Sequence, residues 1–198
     1  MKQGRLFIIS GPSGVGKSTV LKTLLDRRKN ARFSVSATTR PIREGEIDGV
    51  HYHFMTVETF REWIANEEFL EYAEYVGHFY GTPKKFVEAA LDAGQDIILD
   101  IEIQGALQVE KRRPDAVKIF IGPPSWDELE RRLTSRGTNT PEEIQKRLVR
   151  AKVEVQTAHT YDYFVINNNV ENAVHELDAI MTAEHCKPKE RMELLADT

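Results

Sequence analysis

A single cysteine, Cys186, occurs in the 198 residues, so no internal disulfide can staple the chain, and a lone thiol is by default a bystander rather than a nucleophile. No apolar run approaches the roughly 20 residues needed to span a bilayer. The opening Met1-Lys2-Gln3-Gly4-Arg5 runs into a strand pattern without the apolar core of a signal peptide. A cytoplasmic location and no membrane partner are therefore expected. Charge of neither sign dominates: 27 Lys and Arg face 31 Asp and Glu, for a net −4, which argues against a broad nucleic-acid surface. Internal repeats and low-complexity segments are absent. His51 and His53 have no Cys or acidic partner at ligand spacing, so a metal pair is not indicated; His159, His175 and His185 are simplest as structural or surface residues.

What is present is a globular balance, 40% hydrophobic and 29% charged, in a length that buries a substantial core. Short apolar runs alternate with amphipathic helical patterns, as βαβ units do. Strands are expected at Leu6–Ser10, Asp96–Asp100, Val117–Ile121 and Tyr163–Ile166. Helices are expected near Lys17–Arg28, Pro83–Ala93, Gln104–Arg112, Ser125–Arg136, Pro141–Thr157 and Val170–Glu184. The fold class is α/β, a parallel sheet flanked by helices. Ser125-Trp126-Asp127-Glu128 fits a capping box, and Thr140-Pro141-Glu142-Glu143 adds Pro at the first helical position. Lys187–Thr198 is a charged helical tail with no evident chemistry.

The most specific pattern is Gly11-Pro12-Ser13-Gly14-Val15-Gly16-Lys17-Ser18-Thr19, a G-x-x-x-x-G-K-[ST] stretch that follows one apolar run and opens an amphipathic helix. Its glycines let successive backbone N–H groups curl around phosphate oxygens, and the following helix points its positive end at them. Lys17 is placed to reach β- and γ-phosphates and Ser18 to offer a hydroxyl to Mg²⁺, so a magnesium-bound nucleotide is expected there. A GTPase switch would add a Thr/Asn-Lys-x-Asp stretch after a strand, and none occurs.

From Phe33 to Tyr80 the texture changes to short alternating runs (Phe33–Ala37, Tyr52–Met55, Phe69–Val76) around one helix near Val57–Asn66, suggesting a small mixed-sheet insertion. Arg40 and Arg43 stand three residues apart in a Pro/Gly-punctuated loop; their guanidinium forks suit phosphate, and solvated surface charge is the other reading. Glu71 is either the solvent side of a strand or an acceptor in a pocket. Asp100 ends an apolar run where a Walker-B-type carboxylate belongs, and Glu102 falls on the same side if the strand continues; a carboxylate there is also often a turn residue.

Taken together, Gly11–Thr19, Ser34–Glu46, Tyr52, Glu68–Glu71, Tyr80-Gly81-Thr82, Ile98–Glu102 with Gln104-Gly105, and the region around Arg136 resemble the guanylate kinase family, in family order from about residue 4 to 185. The resemblance implies transfer of the γ-phosphoryl group of MgATP to GMP, and three parts: a core of about 1–33, 84–125 and 158–198, a GMP-binding insertion of about 34–83, and a lid of about 126–157. It implies that Arg40, Arg43, Tyr52 and Tyr80 hold the GMP phosphate while Ser36, Glu71, Thr82 and Glu102 face guanine. It implies that Arg132, Arg136 and Arg147 serve the ATP phosphates and the transferring group, with Lys17, Arg43, Arg136 and Arg147 at the chemistry and Ser18 and Asp100 at the magnesium. Glu102 stands where many family members carry Asp, and Ile166-Asn167-Asn168-Asn169, which the resemblance places near adenine, stands where an Asp is frequent. A non-catalytic module of the same family that binds a phosphorylated partner is the alternative; the intact Gly16-Lys17-Ser18 and lid arginines speak against it. Tolerance for dGMP and oligomeric state are left open by the sequence.

Overall fold

The computed structural model describes residues 3–135 and 140–188. In chain order its elements are β1 (Leu6–Ser10), α1 (Lys17–Arg27), β2 (Ala31–Phe33), β3 (Ala37–Thr38), β4 (His53–Phe54), α2 (Val57–Ala65), β5 (Phe69–Tyr75), β6 (His78–Pro83), α3 (Lys84–Asp92) and β7 (Asp96–Asp100). They continue with α4 (Ile103–Arg112), β8 (Val117–Gly122), α5 (Trp126–Thr134), α6 (Pro141–Gln156), a 3-10 turn (Thr157–Thr160), β9 (Tyr163–Ile166) and α7 (Val170–Glu184). Two compact units emerge: Gln3–Ile8 with Asn30–Val117, and Ile9–Lys29 with the chain from Lys118 onward.

In the first unit the parallel sheet runs β2-β7-β1, with Ala31 opposite Asp96 and Phe33 opposite Ile98. Leu6, Phe7, Ile8, Ile97, Ile98 and Leu99 are all buried, the continuous apolar runs of a strand covered on both faces. Strand β2 was not expected as a separate element, since residues 33–37 read as one run. It is an edge strand whose only large apolar residue, Phe33, is exposed, so no burial pattern marks it. A second sheet, ordered β4-β3-β6-β5, is mixed: β3 and β4 are parallel, the other pairs antiparallel. Its strand β6 includes Tyr80-Gly81-Thr82, and the hairpin turn before it lies at Val76-Gly77, where both residues are left-handed (φ 50° and 74°), as two-residue hairpins require. Phe60 of α2 stacks on Phe69 at 4.3 Å and Phe79 at 5.4 Å, forming the core of this sheet with Ala37.

In the second unit β8 pairs with β9 in parallel, with Ile119 opposite Tyr163 and Gly122 opposite Ile166. Helix α1 packs on α7, α7 on β9, and α5 on α6. Leu129, Leu133, Ile144, Leu148 and Ala151 form the α5–α6 core. At the start of α5 the Ser125 hydroxyl accepts from Glu128 N–H, but the Glu128 carboxylate turns to Arg131 and Arg132 instead of back to the cap. The reciprocal capping box forms at the start of α6, where Thr140 accepts from Glu143 N–H and the Glu143 carboxylate accepts from Thr140 N–H at 2.8 Å.

Candidate active site

In the second unit, Gly11–Gly16 links β1 to α1, and Lys17 is the first residue of that helix, followed by Ser18 and Thr19. Gly14 and Gly16 take φ of 89° and 91°, and Gly16 is the helix N-cap. A side chain at Gly16 would be strained by that backbone, and its Cβ would also lie 2.7 Å from Asn167 Nδ2. Pro12 accepts a turn bond from Val15 N–H at 3.2 Å, and the Gly16 carbonyl starts the helix by accepting from Val20 at 3.2 Å. The loop is thus curled with a helix N-terminus behind it, the arrangement that suits phosphate oxygens.

Around this loop, Arg132 of α5 donates from Nη1 to the Val15 carbonyl at 3.0 Å, from Nη2 to the Asn167 carbonyl at 3.0 Å and from Nε to Glu128 at 2.7 Å. Arg131 and then Arg132 hold the Glu128 carboxyl well below its ordinary range, down to about 2. Asn167, buried just after β9, donates from Nδ2 to the same Val15 carbonyl at 2.7 Å. Arg147 of α6 reaches Ser13 Oγ at 3.4 Å. Arg136 lies outside the described residues.

In the first unit, Arg40, Arg43 and Tyr80 come together on a cleft of about 450 Å³ that Tyr75, Val76 and His78 of the β5–β6 hairpin also line. Arg40 is buried and forms a two-pronged pair with Glu46, Nη2 to Oε1 at 2.7 Å and Nη1 to Oε2 at 3.0 Å, with the rings of Tyr52 and Phe54 beside it at 5.5 and 5.7 Å. Glu46 also accepts from the Arg43 N–H at 2.8 Å, and these contacts, Arg40 first, hold its carboxyl below the usual value. Tyr52 meets Tyr80 edge-on at 6.2 Å. Ser36 is half-buried, and its carbonyl accepts from His53 N–H at 2.8 Å.

Glu71 is not on the solvent side of its strand: it is 8% exposed. Phe69, Leu70 and Glu71 are buried in succession, and the pairing with β6 shifts register between Phe69 and Glu71. Thr82, opposite on β6, donates its hydroxyl to Glu71 Oε1 at 2.6 Å. Burial pushes the Glu71 carboxyl above its ordinary range, and the Thr82 bonds pull against that without reversing it. On its other side Glu71 Oε2 lies 3.2 Å from where a Cβ on Gly105 would stand. Asp100 is the exposed last residue of β7. The strand does not run on to Glu102; that residue caps α4 with an extended backbone, because the chain turns into the helix there. His51 accepts from Ile47 N–H and His53 stacks on Phe86 at 4.1 Å, and among the described residues no group of His, Cys, Asp and Glu has metal-site geometry.

The family model for guanylate kinase matches residues 3–184 of the chain. The chain belongs to the guanylate kinase family. It is 53% identical over 182 residues to a guanylate kinase from Thermus thermophilus, covering 92% of this chain and 82% of the relative. It is 52% identical over 191 residues to one from Halalkalibacterium halodurans, covering 96% and 93%. The crystal structure of guanylate kinase from Anaplasma phagocytophilum, 35% identical, superposes with a TM-score of 0.70 over 95% of this chain and 89% of that one. Within this guanylate kinase fold, Glu46 and Gly105 are site neighbours to which the sequence reading assigned no role, although both lie in stretches that carried the resemblance.

Proposed function

We propose that the chain transfers the γ-phosphoryl group of ATP to GMP, giving ADP and GDP. The observation that carries the choice of acceptor is the buried Glu71–Thr82 pair. Guanine presents N1–H and N2–H₂ as adjacent donors, and an ionised Glu71 accepts both; adenine would set its N1 lone pair against the carboxylate. A buried polar site of this kind rejects the wrong base by roughly 10⁴-fold or more. Ser36, Thr82 and Glu102 are the further proposed base contacts.

Arg40, Arg43, Tyr52 and Tyr80 are proposed to hold the GMP phosphate, an assignment supported by the shared cleft of Arg40, Arg43 and Tyr80. A phosphate monoester has a second pKa near about 6, so GMP at neutral pH is already a dianionic nucleophile and needs no general base. One of its phosphate oxygens bonds to the γ-phosphorus as the bond to the β,γ-bridging oxygen breaks, and ADP departs with that oxygen. The protein's part is positioning and charge stabilisation. The residues of Gly11–Thr19 fit the phosphates of ATP: the backbone curls into a left-handed turn ahead of α1, with Lys17 and Ser18 at the helix start. Mg²⁺, when bound, neutralises charge on those phosphates; Ser18 is its proposed contact, with Asp100 the proposed carboxylate. Arg136 and Arg147 are the proposed lid arginines, arriving on the transferring group and excluding water, and Arg132, which bonds the Val15 and Asn167 carbonyls, is proposed to serve the ATP phosphates from beside the loop. The expected location is cytoplasmic, and among the described residues no helix is long and apolar enough to cross a membrane.

A coupled ADP-release assay with MgATP and each of GMP, dGMP, AMP, UMP and CMP tests the proposal. Turnover with GMP and not with AMP, UMP or CMP is expected. Equal turnover with another base would overturn the Glu71 pocket, and binding of GMP without turnover would turn the reading to a non-catalytic module.

A further inference from the structure

The Val15 carbonyl receives two donors from outside the loop, Asn167 Nδ2 at 2.7 Å and Arg132 Nη1 at 3.0 Å. The two donors are themselves joined, since Arg132 Nη2 donates to the Asn167 carbonyl at 3.0 Å. Asn167 is fixed in turn: it is 2% exposed, and its own N–H donates to the Gly122 carbonyl at 2.9 Å. The orientation of its amide follows from chemistry, because reversing it would set two acceptor oxygens 2.7 Å apart. Across a trans peptide the C=O and the next N–H point in opposite directions. Holding the Val15 carbonyl therefore aims the Gly16 N–H the other way, on the side of the peptide remote from Asn167 and Arg132. The left-handed Gly16 backbone, φ 91°, and the closeness of Asn167 Nδ2, 2.7 Å from where a Cβ on Gly16 would stand, belong to the same arrangement.

From this clamp we infer that Asn167 is a positioning residue for the phosphate loop. It acts through the Val15 carbonyl to preset the Gly16 amide as a donor to a polyphosphate oxygen. The inference rests on the reading of Gly11–Thr19 as the ATP phosphate site. Such presetting matters because a loop amide left free to turn must be reoriented at the moment of binding, and a hydrogen bond to a charged oxygen is worth more when its donor is already aimed.

Inorganic tripolyphosphate is the probe that separates this role from any contact of Asn167 with a nucleoside, since it carries phosphates and no base. Calorimetric titration of Asn167→Ala with magnesium tripolyphosphate is expected to show an affinity loss of about tenfold, the size of one lost hydrogen bond. GMP affinity should stay at the wild-type value. Asn167→Asp, which has the same shape but faces the carbonyl with a carboxylate, should lose more. Unchanged tripolyphosphate affinity in a folded variant that binds ATP more weakly would overturn the inference. Wild-type protein that bound neither tripolyphosphate nor ATP would instead remove the donor-site reading beneath it. Should both variants fail to fold, the wild-type Gly16 amide decides by NMR: a large downfield shift on adding tripolyphosphate supports the clamp, and no shift overturns it.

Discussion

Thr82 and Glu71 face each other on neighbouring antiparallel strands, and the Thr82 hydroxyl donates to one carboxylate oxygen of Glu71 at 2.6 Å in a buried setting. One oxygen is thereby anchored while the carboxylate keeps acceptor capacity for a ligand. Because burial raises this carboxyl above its ordinary 4.5, the unliganded fold holds the proton more tightly than the unfolded chain does. The stability this contributes is complete below pH 4.5 and is lost as pH rises through the higher folded value. The proposed binding of guanine would run the other way, since only the ionised form accepts two donors from the base.

Glu71→Gln should therefore leave the melting temperature at neutral pH unchanged or raised, while kcat/KM for GMP falls by roughly 10²-fold or more and ATP affinity is kept. In the wild type, kcat/KM for GMP should drop on acidification with a midpoint above 4.5. Steady-state kinetics across pH, beside thermal melts, decide it: a GMP dependence that ignores both the substitution and the pH removes Glu71 from the base pocket.

Gly105→Ala places a Cβ 3.2 Å from Glu71 Oε2, closer than a carboxylate comfortably accepts, so the acid must shift by a few tenths of an ångström. An increase of about three- to tenfold in KM for GMP, with KM for ATP unchanged, is the expected result, since small displacements of a binding group cost affinity. Identical KM values would mean that the carboxylate has room to spare.

Glu46→Gln removes the charge that holds Arg40 in a two-pronged pair and also anchors the Arg43 N–H. KM for GMP should rise by roughly tenfold, as for a lost charge-assisted bond. A fall in KM would show that Glu46 competes with the phosphate rather than preparing its site. Its lowered carboxyl keeps the pair charged at neutral pH, and the linked stability fades only as pH drops below 4.5 through the depressed folded value.

Lys17→Ala should reduce kcat by at least about 10²-fold, the scale of one lost electrostatic contact to the transferring group. GMP binding, measured by titration, should survive. Loss of both in a folded protein would show that the two substrates do not have separate sites.

Phe60→Ala opens a cavity between Phe69 and Phe79, to which Phe60 stacks at 4.3 and 5.4 Å. Denaturant titration should report a loss of about 3–5 kcal/mol. A loss under about 1 kcal/mol would mean that the surrounding rings collapse into the gap.

The local features of this protein were settled by its sequence. The strands of Leu6–Ser10 and Asp96–Asp100 announce themselves because strands covered on both faces need unbroken apolar runs. The loop Gly11–Thr19 does so because its glycines, lysine and hydroxyls are neighbours in the chain and need no distant partner to take shape. What depends on contacts between residues far apart in sequence was decided only by folding. The alternating run Glu68–Val76 leaves either face open to Glu71; folding buries it against Thr82 of β6 and beside Gly105 of α4. Nothing in the helical pattern of α5 tells Arg132 from Arg131, yet one reaches the Val15 carbonyl 117 positions away while the other pairs with Glu128 on its own helix. Edge strand β2 carried no burial pattern because an edge buries little. Spacing along the chain thus specified the loop, whereas packing across it specified which carboxylate is buried and which arginine reaches the loop.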